Sequence, residues 1–173
     1  MGYTHYWRQQ RDFTDTEWQE LTRLTKLILA DFLKLQLYSE LNINNEEIRF
    51  NGKGDDGHET FRITKKKREK MDYEEQEAYD KGAFEFCKTA QKPYDKYVVA
   101  VLCALYNLSN VPPQRNRNAH PMREITSDGN TKDWTEGLFH AVRSTRREEM
   151  YCPIRDCLTL SYVDYIDREK KTG

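Results

Sequence analysis

The residues of this chain best suited to chemistry lie in one stretch, Lys88-Thr89-Ala90-Gln91-Lys92-Pro93-Tyr94-Asp95. The alternating segment Phe84 to Thr89 reads as a strand, and the apolar run Val98 to Leu105 as a helix, so the stretch is a strand-to-helix turn. A helix start presents unpaired N–H groups and about half a positive charge. Lys88 and Lys92 add two cations there and Thr89 a hydroxyl, a set able to cradle a phosphate or a carboxylate. The same residues admit a plainer reading, in which both lysines are solvated, Asp95 caps the helix and Pro93 shapes the turn.

Other chemistry is thinner. His58-Glu59-Thr60 is one half of the paired H-x-[ST] signature of two-histidine phosphoesterases, and no second half occurs. Acid–base chemistry of that kind needs both members. His5, His58, His120 and His140 stand apart from one another, and Asp55 and Asp56 precede His58 in a Gly-rich loop too flexible to favour a metal. No H-E-x-x-H, Walker lysine loop, G-x-S-x-G or C-x-x-C is present. Cys87, Cys103, Cys152 and Cys157 read as reduced thiols of a cytosolic protein. No cofactor and no resident metal are expected.

The elements that must hold the turn follow from periodicity. Residues 2–8 form a strand with Tyr3, His5 and Trp7 on one side. Thr14 and Glu17 make a capping box for a long helix whose apolar face runs Trp18, Leu21, Leu24, Ile28, Phe32, Leu35. A hairpin pairs Ile48–Phe50 with Glu59–Thr64 around a Gly- and Asp-rich turn. Residues 71–82 are an acidic surface loop or short helix. The helix around Val98–Leu105 is apolar almost all round and so the most buried. Residues 112–121 read as a loop, 123–127 as a last central strand, and Thr131 onward as a third helix with Trp134, Leu138, Ala141 and Val142 inside. The tail carries a further strand at 158–165.

The fold class is therefore α+β, or mixed α/β: one four- or five-stranded mixed sheet with about three helices, one of them very apolar and central. Residues 1–145 make a single domain and 146–173 a C-terminal tail. With the first and fourth strands neighbouring and parallel, Trp7 and Arg8 come beside Lys88 and Thr89. Asp128 closes the same edge if the last strand runs likewise. Such an edge suits a nucleotide-like ligand, with Trp7 or Tyr94 stacking on a base, lysines on phosphate and Asp128 on a hydroxyl.

The 173 residues carry 28 basic and 29 acidic side chains, so self-repulsion does not oppose folding. A pI near 6.4 argues against a surface given over to nucleic acid. No run of 18 apolar residues and no apolar leader is present, from which a cytoplasmic location is expected.

Gly2-Tyr3-Thr4-His5-Tyr6-Trp7, Phe86-Cys87-Lys88-Thr89-Ala90 with Lys92-Pro93-Tyr94-Asp95, and Ser127-Asp128-Gly129 before Trp134 together resemble a family of short proteins from bacteriophages and some bacteria. The resemblance spans roughly residues 2–142. It implies a phage-like origin, with the host cell cytoplasm as the setting, and no catalytic residue. Accessory phage proteins of this size often bind a host protein or a host signalling molecule, which is an argument by analogy.

Three functions are compatible with these residues. The first is non-enzymatic capture of a small anionic, nucleotide-like ligand, such as a host antiviral signal, by Lys88, Thr89, Lys92, Tyr94, Trp7, Arg8 and Asp128. The second is a protein–protein inhibitor or assembly module that uses the edge of strand 158–165. The third is a metal-dependent phosphoesterase or nuclease built on His58 or Asp128. A homo-oligomer is compatible with all three.

Overall fold

Thr14 accepts a hydrogen bond from the Glu17 N–H and starts α1 (Asp15–Ile28), with Trp18, Leu21, Leu24 and Ile28 buried. The periodicity then breaks. Leu29 leaves the helical conformation and α2 (Ala30–Lys34) begins a new turn that buries Phe32. The single long helix of the sequence reading is thus two, and Leu35 is 64% exposed rather than inward. The computed structural model describes residues 2–108, 118–160, 167 and 169–171.

The elements follow in the order β1 (Thr4–Gln9), α1, α2, β2 (Tyr38–Ile43), β3 (Glu47–Gly52), β4 (Phe61–Thr64), α3 (Gln76–Asp80), β5 (Ala83–Lys88), α4 (Asp95–Tyr106), β6 (Met122–Ser127), α5 (Thr131–Thr145), β7 (Met150–Cys152) and β8 (Arg155–Leu160). The architecture is α+β. In place of one mixed sheet it has two three-stranded antiparallel sheets, β5-β1-β6 and β2-β3-β4, and the β7-β8 pair. The second sheet contains β2, which the sequence reading passed over, and it takes the hairpin strands away from β1. Among the described residues up to 160, five α-helices stand where about three were expected. The tail strand is seen as β8 up to Leu160, and its predicted continuation through 165 lies outside the described residues, as do 112–117 of the predicted loop.

α4 is inward on every side, as its composition requires: Tyr97 through Tyr106 are all buried, packed between α1 and α5. Met150 and Cys152, past residue 145, are fully buried in the same cluster, so β7 is core rather than appendage. α5 is started by Asn130, whose side chain accepts from Lys132 and Asp133 N–H groups while Asp133 accepts from the Asn130 N–H. That reciprocal cap fixes where α5 begins relative to β6. No described helix is long and apolar enough to cross a membrane.

Burial, joined at His140 by the Arg143 guanidinium, favours the neutral form of two core histidines. His120 Nε2–H donates to the Leu105 carbonyl while its Nδ1 accepts from the Met122 N–H. His140 Nε2–H donates to the Ile28 carbonyl and its Nδ1 accepts from Arg143. Burial lowers the pKa of both from the ordinary histidine value. The unfolded chain then binds more protons than the fold as pH falls below about 6.5, so this stability is complete above that value and lost beneath it. Urea midpoints should accordingly hold steady from pH 8 to 7 and fall between pH 6.5 and 5. A midpoint rising over that lower interval would contradict the assignment.

Candidate functional site

β1 is antiparallel to both of its neighbours, with Thr4 opposite Lys88, Arg8 opposite Phe84 and His5 opposite Ser127. This corrects the parallel arrangement expected of β1 and β5. Trp7 and Arg8 are carried to the far end of the sheet from Lys88 and Thr89. Trp7 is 2% exposed and packs against Phe61, inside the core. Arg8 reaches outward, where its Nε donates to Glu124 and its guanidinium lies 5.0 Å from the Phe84 ring centre. β5 and β6 run the same way, so Asp128 does come to the end where β5 finishes. There it accepts from the Thr4 N–H at 3.0 Å and from the Tyr6 hydroxyl at 3.2 Å.

The turn between β5 and α4 is tightly built. Thr89 and Ala90 both donate their N–H groups to the Tyr3 carbonyl, and Lys92 N–H donates to Thr89. Ala90 and Gln91 hold φ near +51° and +53°, a left-handed pair without glycine. Such residues each cost about 1–3 kcal/mol and persist where the surroundings over-determine them. Tyr94 is 1% exposed and its hydroxyl donates to the Glu59 carbonyl, so it has no face to offer a base. Thr89 is fully buried and its hydroxyl donates to Asp95 Oδ1 at 2.5 Å. Asp95 opens α4 without capping it in the expected way. The N-cap position falls on Tyr94, whose side chain makes no cap bond.

A pocket of about 350 Å³ opens beside this turn, lined by Tyr3, Lys92, Asp95, Lys96, Asp133 and Glu136 among others. It sits where α4 and α5 both begin. Lys88 is not part of it. Its side chain runs along Gly2, where an added Cβ would come within 3.0 Å of Lys88 Cε. Two lysines therefore face three carboxylates, and Lys96 Nζ is 3.8 Å from Glu136. The pocket is zwitterionic rather than cationic.

Behind the pocket lies a buried polar network. His5 is fully buried on the inward face of β1. Its Nε2–H donates to Asp95 Oδ1 at 2.7 Å, and its Nδ1 is 2.9 Å from Ser127 Oγ. Gly129 N–H in turn donates to Ser127 Oγ at 2.9 Å. A carboxylate accepts only, which places the proton of a neutral ring on Nε2 and leaves Nδ1 to accept from the serine hydroxyl. Tyr3 and Trp134 meet the imidazole edge-on at 5.1 and 5.2 Å and fix its plane. Sequence reasoning singled out Asp95 and the Ser127 segment but not their junction. The available signal was a histidine placed between two aromatics on a buried strand face, where it must find polar partners.

The aromatic surface that is open to stacking is a different one from that expected. Tyr6, Phe84 and Phe86 share the outward face of the β5-β1-β6 sheet, with Tyr6 stacked on Phe84 at 5.9 Å and Phe86 55% exposed. Among the described residues no three His, Cys, Asp or Glu side chains gather as a metal-binding set, and His58 stands at the other sheet's turn, near Asn51. Compared with family models, with curated proteins and with solved structures, the chain finds no match in any of the three.

Proposed function

We propose that this protein captures a small anionic, nucleotide-like ligand in the pocket at the common start of α4 and α5. One observation carries the reading: two helix beginnings converge on a concavity that holds Lys92 and Lys96 on one side and Asp95, Asp133 and Glu136 on the other. The helix ends and the lysines favour a phosphate. The carboxylates suit hydroxyl groups such as those of a ribose. His5 and Thr89 both bond to Asp95 Oδ1, which fixes the carboxylate at the wall of this pocket. For a chain of the phage-like kind its sequence resembles, such capture would withhold a host signalling nucleotide. No catalytic step is needed for that role.

Purified protein, denatured by heat, should release an ultraviolet-absorbing small molecule identifiable by mass spectrometry. Mononucleotides, cyclic dinucleotides and ADP-ribose, titrated against the apo protein, should raise its melting temperature. A charge-assisted contact is worth about 1.5–3 kcal/mol, so Lys92→Ala with Lys96→Ala should weaken binding by at least about tenfold. The reading fails if no such compound binds, or if the double variant binds as tightly as the parent.

A further inference from the structure

We infer that Ser127, His5 and Asp95 form an acyl-transfer centre, in which Ser127 attacks the carbonyl of a small ester bound in a second pocket. This goes beyond ligand capture at the helix starts and uses a different cavity. That cavity, of about 400 Å³, lies along β6 and is lined by Ile125, Ser127, Gly129, Thr131, Pro153 and Ile154. β6 is an edge strand of its sheet, so Ser127 is half-buried with the pocket on one side and His5 on the other.

The arrangement meets the geometric requirements for an activated serine. The nucleophile-to-base contact is 2.9 Å and the base-to-carboxylate contact 2.7 Å, both within hydrogen-bond reach. The order of the ring nitrogens is the reverse of that in the familiar serine proteases, with Nδ1 toward serine and Nε2 toward aspartate. The roles do not depend on which nitrogen is which. Asp95 is itself held by the Thr89 hydroxyl, and Tyr3 and Trp134 restrain the imidazole plane. A separate observation points to a ligand. Thr131 lines the pocket, and its Oγ1, itself buried, has no hydrogen-bond partner among the described residues. An unpaired buried hydroxyl costs about 1–3 kcal/mol. Here it is a donor placed at the start of α5, where the helix dipole also favours a developing oxyanion.

The steps balance. Ser127 Oγ forms a bond to the acyl carbon as its proton passes to His5 Nδ1. The ester C–O bond breaks and the departing alkoxide takes that proton, leaving an acyl-serine and a free alcohol. Water then attacks the acyl-serine with His5 again as base. The carboxylic acid leaves and Ser127 regains its proton. His5 acts as a base at the reacting oxygen, whereas Asp95 is a positioning residue that holds the ring in its tautomer.

The test uses the full chain, a fluorophosphonate probe and p-nitrophenyl butyrate. The wild-type protein should take up one probe per chain, with loss of fluoride, and peptide mass spectrometry should place the adduct on Ser127. Ser127→Ala should take up none and hydrolyse no ester. Asp95→Asn, which imposes the wrong tautomer, should lower kcat by roughly 10²–10⁴ with KM little changed. A relay that only fastens β1, β6 and α4 together would leave folded wild-type protein unlabelled at Ser127. That result, which needs no variant to fold, overturns the inference, as does an Asp95→Asn protein that labels and turns over at the wild-type rate.

Discussion

His5→Leu should lower the free energy of unfolding by about 3 kcal/mol, the lower end of the cost of leaving a partly buried carboxylate without its hydrogen-bond donor. The leucine removes a group that bonds to both Ser127 on β6 and Asp95 on α4, residues 122 and 90 positions away in the chain. Asp95 would keep its bond to Thr89 but face an apolar side chain in place of the imidazole. Its side chain is 14% exposed, which supplies some water and argues for the lower end. The edge-on contacts of Tyr3 and Trp134 with the ring would go as well, a further fraction of a kcal/mol to about 1.5. In a chain of this size the melting temperature should drop by about 6–12 °C. His5→Gln, which keeps a donor and an acceptor, should recover part of the loss. Chemical denaturation of the three proteins measures this directly. A His5→Leu protein within 1 kcal/mol of wild type would mean that the network holds nothing together.

A comparable loss is expected from Gly137→Val, through sterics instead of polarity. A Cβ at position 137 would lie 2.4 Å from Val99 Cγ1 and 3.0 Å from the Lys96 carbonyl, with helix backbone behind both. Here α5 approaches α4 more closely than any side chain allows, which is what glycine supplies at a helix crossing. Overpacking of this kind costs about 1–3 kcal/mol for small increments, and valine adds two methyl groups beyond the clashing Cβ. Gly137→Ala is the milder version. Combining it with Val99→Ala should restore about 1 kcal/mol relative to the sum of the two single changes, because the added and deleted methyls occupy the same space. Both residues also line the pocket between the helix starts, so prising the helices apart should weaken nucleotide binding together with stability. A double-mutant cycle with additive energies would show that the helices are not in contact there in solution.

The buried and the open aromatics divide in a way that composition does not reveal. Trp7 and Tyr94, which local pattern offered as stacking surfaces, are enclosed: one sits beneath the β2-β3-β4 sheet against Phe61, the other bonds to Glu59. Phe84 and Phe86, which alternation alone would have allowed on either face, point outward because Cys87 on the same strand takes the inward side. Burial pushes the Cys87 thiol up to about 12, so it is an inert packing group.

Much of the local structure was settled by short-range rules acting on neighbouring residues. Thr14 caps α1 by accepting from the Glu17 N–H, although the Glu17 carboxylate turns to Arg11 instead of completing the box, the unbroken apolar run makes α4 the central helix, and the Tyr3, His5, Trp7 alternation turns one face of β1 inward. Those features depend on periodicity and capping, which a few adjacent side chains decide. The direction in which β1 meets β5 does not. Either orientation satisfies the strand's own propensity, and the choice is made by turn geometry and by contacts far apart in the chain. That choice moved Arg8 away from Lys88, kept Asp128 at the end of β5, and brought Ser127, His5 and Asp95 into one hydrogen-bonded line. The amino-acid order determined that a polar turn would precede a buried helix. Tertiary pairing decided which charges share a pocket there, because only the packed chain brings side chains from β1, β6, α4 and α5 within a few ångströms of one another.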